Sequence, residues 1–348
     1  MDAERTEIGT IGEFGLIAEI TKDIKLQSPR TVVGVGDDAA VLAATEEGKR
    51  TVVSTDLLCE GVHFNLMYSP LKHLGYKAIV VNLSDICAMN ARPTQVVVGL
   101  ALSNRFSVEA TKELYSGIRL ACERYKVDLV GGDTTSSQSG LMISVTALGE
   151  VSEHSTCLRS GAKPGELLVA SGELGSAFMG LQVLEREKHV FEEAPGAQPD
   201  LSGYEVLLER QLKPEARVDI VEELEKLEIV PTSMIDISDG LASEALHIAA
   251  SSGCGVRIYE EKIPMNDQMY ETARAFNLDP TLCTLSGGED YELLFTVPQE
   301  RFEDIRNHPM FSIVGHMTDD PEERKLITRN GMEAELKAQG WDSFNEEG

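Results

Sequence analysis

The sequence predicts an α+β protein of two domains, and three observations carry that reading. The chain has 348 residues, enough for two domains at roughly 150 residues each. Short runs rich in Val, Ile and Leu alternate with helical segments too irregularly for a barrel of eight βα units. Between residues 149 and 166 the chain passes through Gly149, Gly161 and Pro164-Gly165, the stretch that best separates two halves. The expected domains are therefore residues 1–150 and 151–348, each able to bury its own core.

Taken in order, Phe14, Ile17, Ile20 and Ile24 recur at three- and four-residue spacing and predict one amphipathic helix. Strands are expected over residues 31–35, 50–54, 95–102 and 141–148. Two helices interrupt them. The first is expected over residues 71–89, with Ser69 as N-cap and Pro70 at the first helical position, where a missing N–H is no loss. The second covers residues 108–125 behind the cap Ser107. The second half reads as a strand over 167–170, a helix near 175–189 and a loop holding Pro195-Gly196 and Pro199. Helices near 203–212 and 215–227 lead to the apolar run Met234-Ile235-Asp236, and a helix over 241–251 stops at Gly253. Strands near 255–259, 291–297, 311–317 and 325–329 then alternate with helices near 266–276 and 299–307.

Composition narrows the function. With 42% apolar and 26% charged residues the chain is an ordinary globular protein, and no window nears the roughly 20 unbroken apolar residues of a membrane span. A net charge of −27 repels phosphate backbones and anionic headgroups, so neither nucleic acid nor a membrane surface is an expected partner. The start, Met1-Asp2-Ala3-Glu4-Arg5, lacks a basic-then-apolar secretion signal and predicts a cytoplasmic protein. The six cysteines form no Cys-x-x-Cys pair, against a thiolate zinc site or disulfide framework. Cys87 and Cys122, in apolar helical stretches, read as buried structural thiols.

One arrangement recurs six times: an apolar run ends in Gly or Ser and then an acid. It appears at Gly34-Val35-Gly36-Asp37-Asp38, Ser54-Thr55-Asp56, Asn82-Leu83-Ser84-Asp85, Gly131-Gly132-Asp133-Thr134, Asp236-Ile237-Ser238-Asp239-Gly240 and Ser286-Gly287-Gly288-Glu289-Asp290. Any one could be a turn or a cap, because Gly, Asp and Ser are turn residues. As a set brought together they would crowd like charges, tolerable only with cations present. Oxygen ligands without Cys or clustered His favour magnesium, and magnesium is shared with substrate phosphates. Glycines beside the acids let backbone N–H groups approach anionic oxygens. Residues 161–165, Gly-Ala-Lys-Pro-Gly, only superficially resemble a phosphate-binding loop, since the glycine spacing is wrong and Pro164 breaks a helix start. Residue chemistry alone stops at a magnesium-dependent phosphate enzyme.

Seven segments together resemble the thiamine-monophosphate kinase family. They are Gly-Val-Gly-Asp-Asp-Ala-Ala (34–40), Ser-Thr-Asp-Leu-Leu-Cys-Glu-Gly-Val-His-Phe (54–64), Tyr-Lys-Ala-Ile-Val-Val-Asn-Leu-Ser-Asp-Ile-Cys-Ala-Met (76–89), Gly-Gly-Asp-Thr-Thr (131–135), Arg-Ser-Gly-Ala-Lys-Pro-Gly (159–165), Asp-Ile-Ser-Asp-Gly-Leu (236–241) and Ser-Gly-Gly-Glu-Asp-Tyr-Glu-Leu (286–293). The Asp-x-Ser-Asp-Gly and Gly-Gly-Asp-Thr segments are shared with the wider aminoimidazole ribonucleotide synthetase and selenophosphate synthetase superfamily. Glu-Gly-Val-His-Phe and Ser-Gly-Gly-Glu-Asp-Tyr-Glu are more particular to the kinase.

The resemblance implies a two-domain, aminoimidazole ribonucleotide synthetase-like fold: an N-terminal sheet that pairs in a homodimer, and a C-terminal α/β sandwich completing the cleft. It implies transfer of the γ-phosphoryl of ATP onto thiamine monophosphate, with several Mg²⁺ ions and no general base, since the acceptor oxygen is already deprotonated. Asp38, Ser54, Thr55, Asp56, Asp85, Asp133, Asp236 and Asp239 fall on the family's metal positions. For Asp37, metal binding and capping of a turn both stay open. Tyr115, Gly132, Asp133, Arg159 and Ser238 fall on ATP contacts, although Tyr115 could instead pack its helix on the sheet. His63, Glu289 and Trp341 fall on substrate contacts, where a carboxylate and a flat aromatic face suit the cationic rings of thiamine. A tail latch is the alternative for Trp341. Rival functions are a superfamily relative acting on selenide or a formylglycinamidine nucleotide, and a non-catalytic nucleotide- or metal-binding dimer. The first 30 residues hold no Cys, against selenide chemistry.

Overall fold

The computed structural model describes residues 31–33, 37–44, 46–194 and 198–338. The helix expected around residues 14–24, the glycines 34 and 36, and Trp341 lie outside the described residues.

Two sheets organise the chain. The first runs β1 (Thr31–Val33), β2 (Ala40–Ala43), β3 (Lys49–Cys59), β6 (Met142–Ser152), β4 (Arg92–Leu102), β5 (Asp128–Ser136). Its neighbours are antiparallel except for the parallel pair β4 and β5. Helix α1 (Leu71–Ala88) packs on β3, β4 and β6, and α2 (Val108–Tyr125) packs along α1. The two helices approach very closely because Gly75 and Gly117 face each other's backbone. A Cβ on Gly75 would lie 2.0 Å from the Leu114 carbonyl oxygen, and one on Gly117 would lie 1.8 Å from that of Lys72. Fourteen of the residues of α1 are buried, the pattern of a helix covered on all sides.

Strand alternation in β3 sets the geometry of the site. Val52 and Leu58 point into the core under α1, and Ser54 and Asp56 share that face. Thr55 and Leu57 point the other way, where Leu57 is 50% exposed.

The second sheet runs β13 (Glu333–Glu335), β12 (Arg324–Ile327), β9 (Gly255–Tyr259), β11 (Phe311–Thr318), β7 (Leu167–Ser171), β10 (Glu292–Val297), β8 (Ser233–Ile237). β8 and β10 are buried along their whole length, as strands covered on both faces must be. The helices are α3 (Ser176–Glu193), α4 (Glu205–Leu212), α5 (Val218–Lys226), α6 (Leu241–Ser252), α7 (Asp267–Ala275), α8 (Pro280–Ser286) and α9 (Phe302–Ile305). Leu168, Ala170, Ile235 and Leu294 join Ala245 and Ile248 of α6 in one core, whereas Val169, Met234 and Phe295 join Ile220 and Leu224 of α5 in another. Cys87 and Ala88, at the end of α1, belong to that last core, so α1 is packed into both sheets' surroundings. The architecture is the expected α+β one. Among the described residues no helix is long and apolar enough to cross a membrane.

Several elements depart from the sequence reading. Ser107 caps α2 as expected, accepting from the Ala110 N–H at 3.2 Å. Ser69 does not cap α1. Its own N–H is drawn into a turn onto the Asn65 carbonyl at 2.9 Å, and Pro70, extended at ψ 136°, occupies the cap position instead. β2, β5 and α8 went unforeseen: β2 is four residues long, β5 is polar and rich in glycine, and α8 has only seven residues, too few to reveal a period. The helix expected at 299–307 is a 3₁₀ turn over Gln299–Arg301 followed by α9.

Candidate active site

Three segments remote in sequence bring carboxylates together. Asp38 precedes β2, Asp85 lies in the last turn of α1, and Asp236 sits near the end of β8; an oxygen of each lies within 4.8 Å of the others. Neighbouring hydroxyls hold the acids in place. Ser54 Oγ donates to Asp85, and Ser84 Oγ donates to Asp236 Oδ2 at 2.6 Å. Asn82 accepts from the Asp56 backbone N–H at 3.0 Å and so pins β3 to α1 at the same level.

Among the described residues one cation is ion-paired with this cluster. Arg159 grips Asp38 with both arms of its guanidinium, Nη2 at 2.6 Å and Nε at 3.0 Å, a fork-to-fork arrangement. Asp37 has a different task. Its carboxylate accepts from the Asp38 N–H at 2.9 Å and from the Arg159 N–H at 3.2 Å, so it braces the loop.

A single guanidinium does not balance this much negative charge, and the acidities record it. Burial, and then Asp38, push Asp236 up to about 7. Burial, and then Asp56, Asp236 and Asp38, raise Asp85 well above the usual carboxylate range. Burial alone takes Asp56 to about 6, and burial followed by Asp38 takes Asp37 to about 6. The donor set is all oxygen and suits a hard divalent cation, which would relieve the repulsion.

A second motif is stitched onto the first. The Glu289 N–H donates to the Ser238 carbonyl at 2.7 Å and the Tyr291 N–H to that of Ile237 at 2.9 Å. Glu289 at φ 58° and Tyr291 at φ 51° both take the left-handed conformation that non-glycine residues avoid. Gly288 makes the approach possible, since a Cβ there would lie 2.5 Å from the Ser238 carbonyl oxygen. The bent segment carries the Glu289 carboxylate to Lys77 Nζ at 2.7 Å and Gln211 Nε2 at 2.6 Å. On the far side of the loop, Glu244 Oε1 accepts from the Asp239 N–H at 2.9 Å.

Other expected residues lie elsewhere. Thr55 faces away from α1 and donates its hydroxyl to the Val145 carbonyl at 2.9 Å. Gly132 and Asp133 are on the edge strand β5, which register places three strands from β3, roughly 14 Å at 4.8 Å per strand. Asp133 pairs with Gly99, in the row of Ser144 and exposed Leu57 on the face away from the helices. Tyr115 is partly buried against the first core from α2. His63 is exposed in the loop after β3, its Nδ1 accepting from the Cys59 N–H at 2.9 Å.

Ser84, Asn82, Lys77 and Gln211 were not foreseen. For Lys77 and Ser84 the available signal was a seven-residue spacing of polar residues in an otherwise apolar helix; Asn82 on another face and Gln211 on α4 offered none.

The chain matches the family described as AIR synthase related protein, its N-terminal domain over residues 36–151 and its C-terminal domain over residues 163–327. It is 33% identical to the thiamine-monophosphate kinase of Bacillus subtilis, covering 95% of this chain and 99% of that one. Against the thiamine-monophosphate kinase of Aquifex aeolicus the identity is 34%, covering 96% of this chain and 98% of the relative. The solved structure described as AaThiL complexed with AMPPCP and TMP superposes with a TM-score of 0.81 at 32% identity, covering 98% of this chain and 99% of that one.

Proposed function

The chain belongs to the thiamine-monophosphate kinase family, and from that premise we propose how its residues carry out the reaction. The enzyme passes the γ-phosphoryl group of ATP to the phosphate of thiamine monophosphate, giving thiamine diphosphate and ADP. Transfer between two anions asks for charge neutralisation and alignment, and no protein base is needed.

One observation carries the mechanism: Asp38, Asp85 and Asp236 converge, and among the described residues only Arg159 forms an ion pair with them, through Asp38. We assign these three acids, with Ser54, Asp56 and Asp239, to holding Mg²⁺. Magnesium bound there supplies neutralisation and alignment of the two phosphate chains. Ser54 and Ser84 fix two of the carboxylates so that they need not reorganise. Arg159 holds Asp38 through Nε and Nη2, and its remaining N–H groups can meet a phosphate oxygen. Ser238 and the glycines beside it present the loop to ATP. Glu289, with His63 and Trp341, receives the cationic rings of the substrate.

Thr55 and Asp133 share the open face of the first sheet, while Gly132, in the row of Val98, Val145 and Asp56, faces the other way on the same edge strand. We propose a homodimer through the open face of the first sheet, where Leu57 is 50% and Val97 37% exposed, and through edge strand β5, where Val130 is 60% exposed. On this reading the contribution of Thr55 and Asp133 to metal, and of Gly132, Asp133 and Tyr115 to ATP, belongs to the paired state. Residues 1–150 bind ATP and metal and dimerise, residues 151–348 complete the cleft, and the reaction runs in the cytoplasm, where ATP and Mg²⁺ are supplied.

The test is to incubate the purified protein with ATP, Mg²⁺ and thiamine monophosphate and separate the products by chromatography. Thiamine diphosphate and ADP in equal amounts are expected. ADP forming only with another acceptor would overturn the reading.

A further inference from the structure

Lys77 is an unusual residue for the interior of a helix packed on all sides. Its side chain is 7% exposed, and its ammonium lies 2.7 Å from Glu289 Oε1 and 3.0 Å from the backbone carbonyl of Gln211. Gln211, 5% exposed, turns its own amide to the same carboxylate, Nε2 to Oε2 at 2.6 Å. A carboxylate takes only donors, which fixes the sense of the Gln211 amide. Both oxygens of Glu289 are thus held by groups from two different helices, while its side chain stays 30% exposed. Its backbone, at φ 58°, is in a conformation that the surroundings must enforce.

The position of Lys77 along α1 matters as much as its partner. Ser84 follows it by seven residues, so the two side chains lie on the same stripe, two turns and about 10 Å apart. Ser84 fixes Asp236, and Asp85 beside it belongs to the acidic cluster. One rigid helix therefore sets both the carboxylate meant for the ring end of the substrate and the acids meant for its phosphate end.

We propose that Lys77 and Gln211 are positioning residues that clamp Glu289 at a fixed distance from the acidic cluster, making α1 the ruler for a substrate with a cationic ring at one end and a phosphate at the other. This rests on the reading of Glu289 as a substrate contact. Because Lys77 already neutralises Glu289, the carboxylate acts on the substrate as an oriented acceptor using the lone pairs its two partners leave free.

The experiment is a double-mutant cycle in steady-state kinetics, each variant first checked by thermal melting. Lys77→Met is expected to raise the KM for thiamine monophosphate roughly ten- to hundred-fold, the worth of a charged hydrogen bond, with the KM for ATP within about twofold of the parent. Gln211→Leu, a milder change should Lys77→Met fail to fold, is expected to move the same KM in the same direction by a smaller factor. In a Glu289→Ala background neither substitution is expected to add a further effect. Equal changes in both KM values, or full additivity with Glu289→Ala, would overturn the clamp. A Glu289→Ala enzyme with an unchanged KM for thiamine monophosphate would remove the underlying reading, and the clamp with it.

Discussion

Two buried acidic sites in this molecule are built on opposite principles. Glu292, in β10, is fully buried and completely answered: Arg217 donates to it, Arg210 stands 3.5 Å away, and Ser171 Oγ donates at 2.5 Å. The cluster of Asp38, Asp85 and Asp236 has three carboxylates against the one guanidinium of Arg159. A buried charge with its partners in place is a structural device; a buried charge deficit is kept only where something from outside makes it up. Glu292 pairs with Ile237, the neighbour of Asp236, on the adjacent strand, so the same interior treats charge in two ways.

Substitution should separate them most sharply in turnover. Asp236→Asn or Asp85→Asn is expected to lower kcat about a thousandfold, on the scale of losing a metal-held phosphate alignment. The melting temperature should stay level or rise, since like charge is removed. Glu292→Gln is expected to do the reverse: activity per folded molecule within a few-fold of the parent, with unfolding free energy down by about 3 kcal/mol because the mostly buried guanidinium of Arg217 and the half-buried one of Arg210 lose the carboxylate they share. Kinetics paired with urea unfolding reads both. A fall in stability for Asp236→Asn as large as for Glu292→Gln would erase the distinction.

Magnesium should sharpen it further. At a hundredfold excess over its dissociation constant a ligand of the folded state adds about 2.7 kcal/mol. That gain is expected in the parent and in Glu292→Gln and should vanish in Asp236→Asn. Calorimetric melting with and without MgCl₂ measures it, and an equal gain in all three proteins would place the cation elsewhere.

How much of this was legible in the sequence depended on distance along the chain. The cap Ser107, the apolar runs and the six acid-bearing segments are local signals and could be read directly, although three of those segments lie inside β3, α1 and β5 and not in turns. The face on which a side chain lands was not legible: strand alternation separates Ser54 and Asp56 from Thr55 only once β3 is known to run on to Cys59, beyond the expected end at residue 54. Contacts across long separations carried no signal: Ser84 meets Asp236 over 152 positions, and Lys77 meets Gln211 over 134. β5 was hidden because its Gly131 and Gly132 argue against a strand that only tertiary pairing with β4 stabilises. Arg217 reads as a surface cation until Glu292 supplies the reason why its side chain is only 11% exposed.

Asp290 lies between the two extremes and gives the smallest effect. It is buried, forms no ion pair among the described residues, and its carboxyl accepts from the Gly175 N–H at 2.7 Å and the Ala177 N–H at 3.4 Å at the start of α3. Burial outweighs those backbone donors and raises it from 3.8 to about 7. The folded protein therefore keeps a proton that the unfolded chain gives up. The stabilisation is complete below the unfolded value near 3.8 and is lost as pH rises through about 7, at up to about 1.4 kcal/mol per pH unit between them. Asp37, Asp56 and Asp236 are raised as well and contribute in the same sense. Glu244 is raised too, burial being the main cause. Saturating Mg²⁺ holds the metal cluster ionised and removes most of its share, so the slope that persists in MgCl₂ belongs to Asp290 together with Glu244 and Asp37. Asp290→Asn, which keeps an oxygen for the Gly175 N–H, should flatten the remaining slope of unfolding free energy by about one proton. A slope unchanged in that variant would mean that Asp290 is ionised in the folded protein and that the α3 amides alone satisfy it.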